Sequence, residues 1–342
     1  KEKNIPLQGM NIRVTSKIPS GKGVASSAAL EVATMNAVCK MFELALTETE
    51  LPVLAQKVEN DVVGAACGLM DQLAVHLGKK NKLLPLICNP HTVSAPVSLP
   101  KGLRFFGIDS GIHHAVSGSS YADVRTAAFM AYSVIAFLEG VSADELKKAK
   151  QENDFNKLPY AGYLANIPVS YFELYYSSHL PESISGSEFI EKYGISIDNA
   201  TNVSPEKNYH LLSCARHPVH ENARVNLFFQ LLCGFPKKSG KEETLRLLGE
   251  LMLQSHSSYS QVGLGNTATD EIVQKVRKAG FESGLYGARV TGGGSGGTVA
   301  VLSYGKEGKQ SAKNIYKEYK KKTGKRIFFF TGSNDGALTL NL

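Results

Sequence analysis

A glycine-rich loop near the start of the chain constrains the fold more than any other feature. Residues 19–31 read PSGKGVASSAALE, after a strand-like run at 11–15 and into a helix-like run at 28–41. A helix N-terminus presents unpaired N–H groups and the positive end of the helix dipole, so such a loop suits a phosphate. The hydroxyls of Ser26 and Ser27 can reach a phosphate oxygen or Mg²⁺. Taken alone, the loop is equally compatible with an ordinary glycine turn that has serine caps.

The composition is that of a soluble globular protein. At 342 residues the chain is long enough for about two domains. Its five cysteines are odd in number and form no C-x-x-C pair, so we expect neither a disulfide framework nor a zinc ribbon. This usage favours a reducing, cytoplasmic compartment. No apolar run approaches the roughly 20 residues of a membrane span, so we expect no membrane partner.

The chain is basic, with a net charge of +7, which suits an anionic ligand such as a nucleotide. Much of the excess lies in residues 306–326. There Ala312, Ile315 and Tyr319 recur at helical spacing, which predicts an amphipathic helix whose lysines face water. A nucleic-acid-binding patch is the alternative, but no RNP-like aromatic motif favours it.

Alternating strand-like and helix-like runs predict an α+β fold with two domains. The strand-like runs lie toward both ends of the chain, at residues 83–88, 93–97, 104–109, 285–291, 298–303 and 326–330. The middle is mostly helical. The join is predicted near residue 118, which gives an N-terminal domain over residues 1–118 and a C-terminal domain over 119–342.

Two acidic residues flank one turn in the first third of the chain. A capping box at Thr47 and Glu50 starts a helix whose apolar stripe extends to Val62, and Glu59 lies at the border of its buried face. Asp71 follows in the turn CGLMDQ, where an aspartate ahead of an apolar helix is usually a helix cap. Because both acids flank the same turn, they can also serve one site, one holding a metal and the other accepting a proton.

A glycine run over residues 291–298 reads TGGGSGGT. Five glycines in six positions are too flexible for a plain hairpin turn, although a bulged hairpin accounts for some of them. A backbone free of Cβ atoms lets another group pack closely against it. The letters also match a G-x-S-x-G nucleophile elbow. That motif requires a following helix, and a strand-like run follows here, so Ser295 is not expected to be a nucleophile.

Taken in this order, the three motifs resemble those of the GHMP family of small-molecule kinases, and within it the galactokinase branch. The resemblance extends from about residue 12 to residue 335 and is greatest to plant-type arabinokinases. It is carried further by KVEN at 57–60, GIDSGI at 107–112, ARHPVHEN at 215–222, GLG at 263–265 and LYGA at 285–288. The resemblance implies the two-domain GHMP kinase fold, with an N-terminal α+β domain, a ferredoxin-like C-terminal region and an active site in the cleft between them.

The resemblance also implies roles for individual residues. Ser27 and Glu59 would hold Mg²⁺, and Asp71 would be the catalytic base that takes the proton from the anomeric hydroxyl of a sugar. The residues implied in binding the phosphates of ATP are Pro19, Gly21, Lys22, Gly23, Ala25, Ser26, Ser27 and Ala28. Those implied in binding the sugar are Gly68, Asp71, Tyr121, Gly292, Gly293 and Gly294.

The function implied is Mg²⁺- and ATP-dependent phosphorylation of a monosaccharide at its anomeric hydroxyl, with L-arabinose favoured and D-galactose second. ATP and the sugar are the expected partners, and the sequence does not indicate an oligomeric state. The galactokinase branch carries a sugar-binding motif upstream of the phosphate loop that is missing here, so we expect a truncated N-terminal domain. A non-catalytic regulator that binds sugar and ATP is therefore the alternative. Retention of Ser27, Glu59 and Asp71 favours catalysis, and Ala25 replaces a serine common in this branch.

Overall fold

Helices and short strands alternate along the chain in the computed structural model, which describes residues 9–65, 67–88, 91–113 and 119–339. The helices are α1 (Ser26–Met41), α2 (Glu50–Val58), α3 (Met70–Leu77), α4 (Ser119–Leu138), α5 (Ala143–Glu152), α6 (Val169–Tyr171), α7 (Gly186–Tyr193), α8 (Leu211–Cys233), α9 (Lys241–Gln261), α10 (Thr267–Ala279) and α11 (Gly305–Thr323). The strands are β1 (Lys82–Leu83), β2 (Leu86–Cys88), β3 (His91–Val93), β4 (Val97–Ser98), β5 (Leu103–Asp109), β6 (Ile184–Ser185), β7 (Asn208–Tyr209), β8 (Leu285–Val290), β9 (Thr298–Tyr304) and β10 (Phe329–Phe330). Two π-helical turns lie at Glu59–Val63 and Phe172–Tyr176.

A four-stranded antiparallel sheet in the order β10-β5-β9-β8 forms the centre of one half of the molecule. Successive side chains of a strand point to opposite faces, so each face has its own core. On one face, Phe106 and Ile108 of β5 pack with α10 and α11. On the other face, Leu103 and Phe105 pack with α8 and α9. A separate helical core surrounds α4 and α8.

Two glycines bring α9 directly onto β8. A Cβ added at Gly249 would lie 2.0 Å from the carbonyl oxygen of Tyr286, and one added at Gly287 would lie 2.4 Å from the carbonyl oxygen of Gly249. No side chain fits between the two elements at this crossing. The contact fixes the C-terminal end of α9 beside the glycine run that follows β8.

The N-terminal third differs from the sequence prediction in two places. Residues 11–15 form no strand, because no described strand lies beside them, and Ile12 and Val14 are exposed. The capping box is confirmed by reciprocal hydrogen bonds between Thr47 and Glu50. The predicted apolar stripe nevertheless ends before Val62, which is 77% exposed. Because the chain widens into a π turn at Glu59, the residues after it leave the buried face.

Three of the predicted strand-like runs form shorter strands in the structure, and the predicted basic helix is present. The runs at 83–88 and 93–97 form four short strands paired as β1 with β4 and β2 with β3. The last strand is limited to β10. The basic segment is the amphipathic helix α11, as predicted, with Ala312, Ile315 and Tyr319 buried and its lysines exposed. Within the described ranges, every helix is too short or too polar to cross a membrane.

The predicted domain join at residue 118 lies outside the described residues, and the division at that point stays a prediction. Strand β5 precedes the join, yet it is hydrogen-bonded to β9 and β10, which follow it. One sheet therefore connects the two halves of the sequence. This sheet carries residues of both halves to the site described next.

Candidate active site

The glycine-rich loop is fixed to the edge of the sheet by its own side chains and by close packing. Gly21 has a positive φ of 68°, and a Cβ added there would lie 2.1 Å from Nε2 of His113. The ammonium group of Lys22 lies 3.2 Å from a carboxylate oxygen of Asp109, which is fully buried at the end of β5. The positive φ and the nearby histidine ring favour glycine at position 21, and Lys22 anchors the loop to β5.

Two threonine hydroxyls bind the backbone of the same loop. Thr298 donates to the carbonyl oxygen of Lys22 at 2.7 Å, and Thr291 lies 3.2 Å from the carbonyl oxygen of Gly23. These threonines begin β9 and follow β8, at the two ends of the glycine run. The loop and the glycine run are thus held against each other through backbone oxygens.

The loop ends in the N-terminus of α1, where no side chain of the described residues is seen to cap the helix. Ala25 occupies the capping position with a positive φ of 57°, and its methyl group cannot accept a hydrogen bond. The first N–H groups of α1 therefore lack the side-chain partner that a serine, threonine or aspartate would supply. Ser27 is exposed in the first turn, whereas Ala28 is fully buried. Only the backbone of Ala28 can contribute to ligand binding.

A cavity of about 260 Å³ lies beside this helix N-terminus. We define its acidic wall as Ser27, Glu59, Asp71 and Gln72. We define its aromatic wall as Tyr121, Tyr259, Gly292, Gly293 and Gly294. The remaining lining residues are Cys67, Gly68, Met70, Cys88 and Ser295. The cavity brings together the residues that the sequence analysis assigned to metal, base and sugar contact. A Cβ added at Gly68 would meet no atom within 4 Å, so the space beside it is open.

In the acidic wall, one buried amide binds two carboxylates. Nε2 of Gln72 lies 2.8 Å from Oε2 of Glu59 and 3.2 Å from Oε2 of Glu31, which stands behind the wall. Gln72 is fully buried and Glu59 is 5% exposed. The amide oxygen of Gln72 has no hydrogen-bond partner among the described residues. Glu59 continues the buried stripe of Leu51 and Ala55 at a spacing of four residues, and this position on the helical face directs its carboxylate inward.

Burial and the charge of Glu59 raise the pKa values of two groups next to the acidic wall. Burial, together with the charge of Glu59, raises the pKa of Glu31 to about 7. Burial and the same carboxylate raise the pKa of the Cys67 thiol to about 12, so this cysteine is not a thiolate near neutral pH. The backbone N–H of Cys67 donates to the side-chain oxygen of Asn60 at 3.0 Å.

Asp71 lies in the first turn of α3 and lines the cavity. The residue at the capping position is Leu69, so the interpretation of Asp71 as a helix cap is wrong. Its carboxylate is partly exposed and on the same wall as Glu59 and Ser27. A carboxylate in this position can accept a proton from a ligand in the cavity.

Tyr259 of the aromatic wall is held by a backbone oxygen and by a neighbouring histidine ring. The hydroxyl of Tyr259, on α9, donates to the carbonyl oxygen of Gly292 at 3.0 Å. The Tyr259 ring meets His217 edge to face, with 5.0 Å between the ring centroids. Burial raises the pKa of Tyr121 to about 12 and also raises that of Tyr259, so both hydroxyls stay protonated at neutral pH.

The side chains present suit a magnesium ion. Among the described residues, no group of three or more His, Cys, Asp or Glu side chains is arranged to hold a metal ion. Mg²⁺ prefers oxygen ligands and keeps several waters, so one or two protein oxygens beside substrate phosphates are sufficient. The Ser27 hydroxyl and the Glu59 carboxylate supply such oxygens on one wall.

Several residues of this site were not predicted from the sequence. Glu31 follows the apolar pair Ala29 and Leu30 in the first motif, and Gln72 follows Asp71 in the second. The available signal was a polar residue at a helical position that faces the core. Tyr259 had no local signal, because only the packing of α9 on β8 brings it to the cavity. Asp109 had no distinguishing signal either, because in the sequence it stands at the end of an ordinary strand-like run.

Two known protein domains and a solved structure match this architecture. The GHMP kinases N terminal domain matches residues 1–79, and the GHMP kinases C terminal domain matches residues 238–325. The crystal structure of Lactococcus lactis galactokinase complexed with galactose superposes with a TM-score of 0.67 at 22% sequence identity, over 94% of this chain and 68% of that one. The chain belongs to the GHMP kinase family and has its two-part fold.

Curated relatives are similar over most of the chain. An L-arabinokinase of Arabidopsis thaliana is 38% identical over 96% of this chain, and a galactokinase of Chloroflexus aggregans is 29% identical over 88%. The chain spans 33% of the length of that arabinokinase and 62% of that galactokinase.

Proposed function

We propose that the protein is a sugar 1-kinase, which transfers the γ-phosphoryl group of ATP to the anomeric hydroxyl of a monosaccharide. One observation carries the proposal: a single cavity beside an uncapped helix N-terminus is lined by Ser27, Glu59, Asp71 and Tyr121 together with three successive glycines. Such a cavity offers a phosphate site, oxygen ligands, a proton acceptor and a surface for a sugar within one space.

L-arabinose is the proposed substrate and D-galactose the second candidate. The similarity to proteins named L-arabinokinase and galactokinase supports this order, because identity to the former is higher. The two sugars share their stereochemistry from C1 to C4 and differ in the substituent at C5. The proposed partners are therefore ATP and a monosaccharide.

The phosphates of ATP are proposed to lie over residues 19–28. The first N–H groups of α1 would donate to phosphate oxygens, and the helix dipole would offset the charge of these oxygens. Lys22 and the two threonine contacts keep the loop in place, so these donors need no rearrangement when the phosphate arrives. Phosphoryl transfer depends mainly on such positioning and charge neutralisation.

Ser27 and Glu59 are the proposed magnesium ligands, and a bound Mg²⁺ would neutralise charge on the phosphate oxygens. Gln72 orients Glu59 toward the cavity. Asp71 would accept the proton of the anomeric hydroxyl as that oxygen bonds to the γ-phosphorus and ADP leaves. Gly68, Tyr121 and Gly292 to Gly294 would contact the sugar.

ADP release tests the proposal. The chain is incubated with Mg-ATP and L-arabinose, D-galactose or no sugar, and we expect ADP formation that depends on sugar and is fastest with L-arabinose. Nucleotide and sugar binding without ADP formation would instead identify a non-catalytic regulator. Absence of sugar binding would contradict both functions.

A further inference from the structure

Among the described residues, two large side chains that line the cavity have no part in the proposed chemistry, Met70 and Tyr259. Ser27, Glu59, Asp71 and Gln72 belong to the acidic wall, and the three glycines have no side chains. Met70 is 43% exposed and flexible. Tyr121 is already assigned a sugar contact in the proposed function. Tyr259 is the large side chain that remains.

Contacts on several sides fix the ring of Tyr259. Its hydroxyl is bound to Gly292, and its ring packs edge to face with His217. The guanidinium group of Arg289 lies 5.2 Å from the ring centroid, and Nη1 of Arg289 is held by Glu221 at 2.8 Å. The ring therefore cannot turn out of the cavity without breaking a hydrogen bond and a cation–π contact.

The glycine run blocks movement in the other direction. Gly294 has a positive φ of 77°, and a Cβ added there would lie 2.6 Å from the carbonyl oxygen of Leu264 and 3.1 Å from Cδ1 of Tyr259. The backbone N–H of Ser295 donates to the same Leu264 oxygen at 2.7 Å. The space between the Gly294 backbone and the tyrosine ring is therefore too small for even a methyl group, which leaves the ring little room on this side.

A fixed wall separates ligands by size. From these contacts we infer that Tyr259 determines sugar specificity, by limiting the space for the substituent at C5 and so favouring a pentose over a hexose. The inference rests on the proposed function, since it assigns the sugar to this cavity. One methylene group more or less in a hydrophobic pocket changes kcat/KM by about 10- to 200-fold, and the hydroxymethyl group of D-galactose is larger than that.

The test compares two variants with the unchanged chain. Tyr259→Leu removes volume from the wall, whereas Tyr259→Phe keeps the ring and loses only the hydrogen bond to Gly292. For each, kcat/KM is measured with L-arabinose and D-galactose, and the Kd of each sugar is measured calorimetrically with Mg-ADP present. Tyr175→Leu, at an exposed tyrosine of the π turn at Phe172–Tyr176, is the matched control.

We expect Tyr259→Leu to raise the galactose-to-arabinose ratio of kcat/KM and of binding by at least about tenfold. Tyr259→Phe is expected to weaken both sugars equally and leave the ratio unchanged, as is Tyr175→Leu. Should Tyr259→Leu not fold, Tyr259→Met gives a second truncated wall for the same comparison.

Equal effects of Tyr259→Leu on both sugars would overturn the inference while leaving a sugar kinase in place. Shifted binding preference without turnover in any variant would support the inference and contradict the proposed function. Failure of the unchanged chain to bind either sugar would contradict both.

Discussion

The acidic wall and the aromatic wall face the same cavity, but they are held in different ways. Glu59 depends on one buried amide, that of Gln72, and on the protonation of Glu31 behind it. Tyr259 is held by a backbone oxygen, the edge-to-face ring of His217 and a cation–π contact with Arg289. Substitutions that change charge should therefore affect the acidic wall most, and substitutions that change side-chain volume should affect the aromatic wall most.

This difference separates chemistry from recognition. Isosteric changes of a carboxylate to an amide should act on turnover and on metal dependence, because they change charge without changing shape. Added or removed carbon atoms in the aromatic wall should act on folding and on the choice of sugar. This difference between the walls would be contradicted if a carboxylate-to-amide change altered the choice of sugar, or if a change of volume in the aromatic wall altered metal dependence.

The largest effect is expected from Asp71→Asn in the acidic wall. The amide cannot accept the hydroxyl proton, so sugar-dependent ADP formation should fall by at least about 100-fold while nucleotide binding stays nearly unchanged. Turnover is measured by ADP release and nucleotide binding by calorimetry. Retention of a tenth of the original turnover would remove Asp71 as the base.

The next effect is expected from Gly294→Ala in the aromatic wall. A left-handed φ costs about 1 kcal/mol for alanine, and the overlap with Leu264 and Tyr259 adds roughly 1–3 kcal/mol. Gly263→Ala is a matched control, because Gly263 has a φ of 83° and an added Cβ there meets no atom within 4 Å. Urea unfolding compares the two. Equal losses in the free energy of unfolding would show that the wall is not tightly packed.

A smaller effect is expected from Glu59→Gln. Loss of one anionic oxygen ligand should raise the Mg²⁺ concentration for half-maximal ATP binding by about tenfold or more. Asp61→Asn, an exposed acid on the same π turn, is the control and should leave this concentration unchanged. An identical magnesium titration for Glu59→Gln and the unchanged chain would exclude Glu59 as a ligand.

The smallest effects are opposite pH dependences behind the two walls. Burial raises the pKa of Glu31 from 4.5 to about 7, so the folded state binds more protons and stability falls as pH rises through that window. Burial lowers the pKa of His217 from 6.5 to about 4, so stability falls as pH decreases through that window.

Thermal unfolding between pH 4 and pH 8 measures both dependences. Glu31→Gln should flatten the loss above pH 4.5, and His217→Asn should flatten the loss below pH 6.5. Unchanged slopes in either variant would show that the corresponding group does not titrate as its burial indicates.

The parts of the site that the sequence predicted are those in local motifs. The glycine-rich loop, Glu59 and Asp71 each stand in a short pattern whose chemistry is apparent, and the family's fold followed from their order. Tyr259 could not be predicted, because the approach of Gly249 to β8, a contact between distant parts of the chain, brings it to the cavity. The π turn that begins at Glu59 also escaped prediction, because the apolar pattern predicts a regular helix as far as Val62.

The central claim is that the protein phosphorylates the anomeric hydroxyl of a sugar, and the position of the phosphate on the product tests it. The chain is incubated with Mg-ATP and L-arabinose, and the product is examined by phosphorus–proton correlated NMR. We expect one sugar phosphate, with the phosphorus coupled to the anomeric proton, and no such product with Asp71→Asn. Phosphate on another hydroxyl, or none on the sugar while ATP and arabinose are both bound, would contradict it.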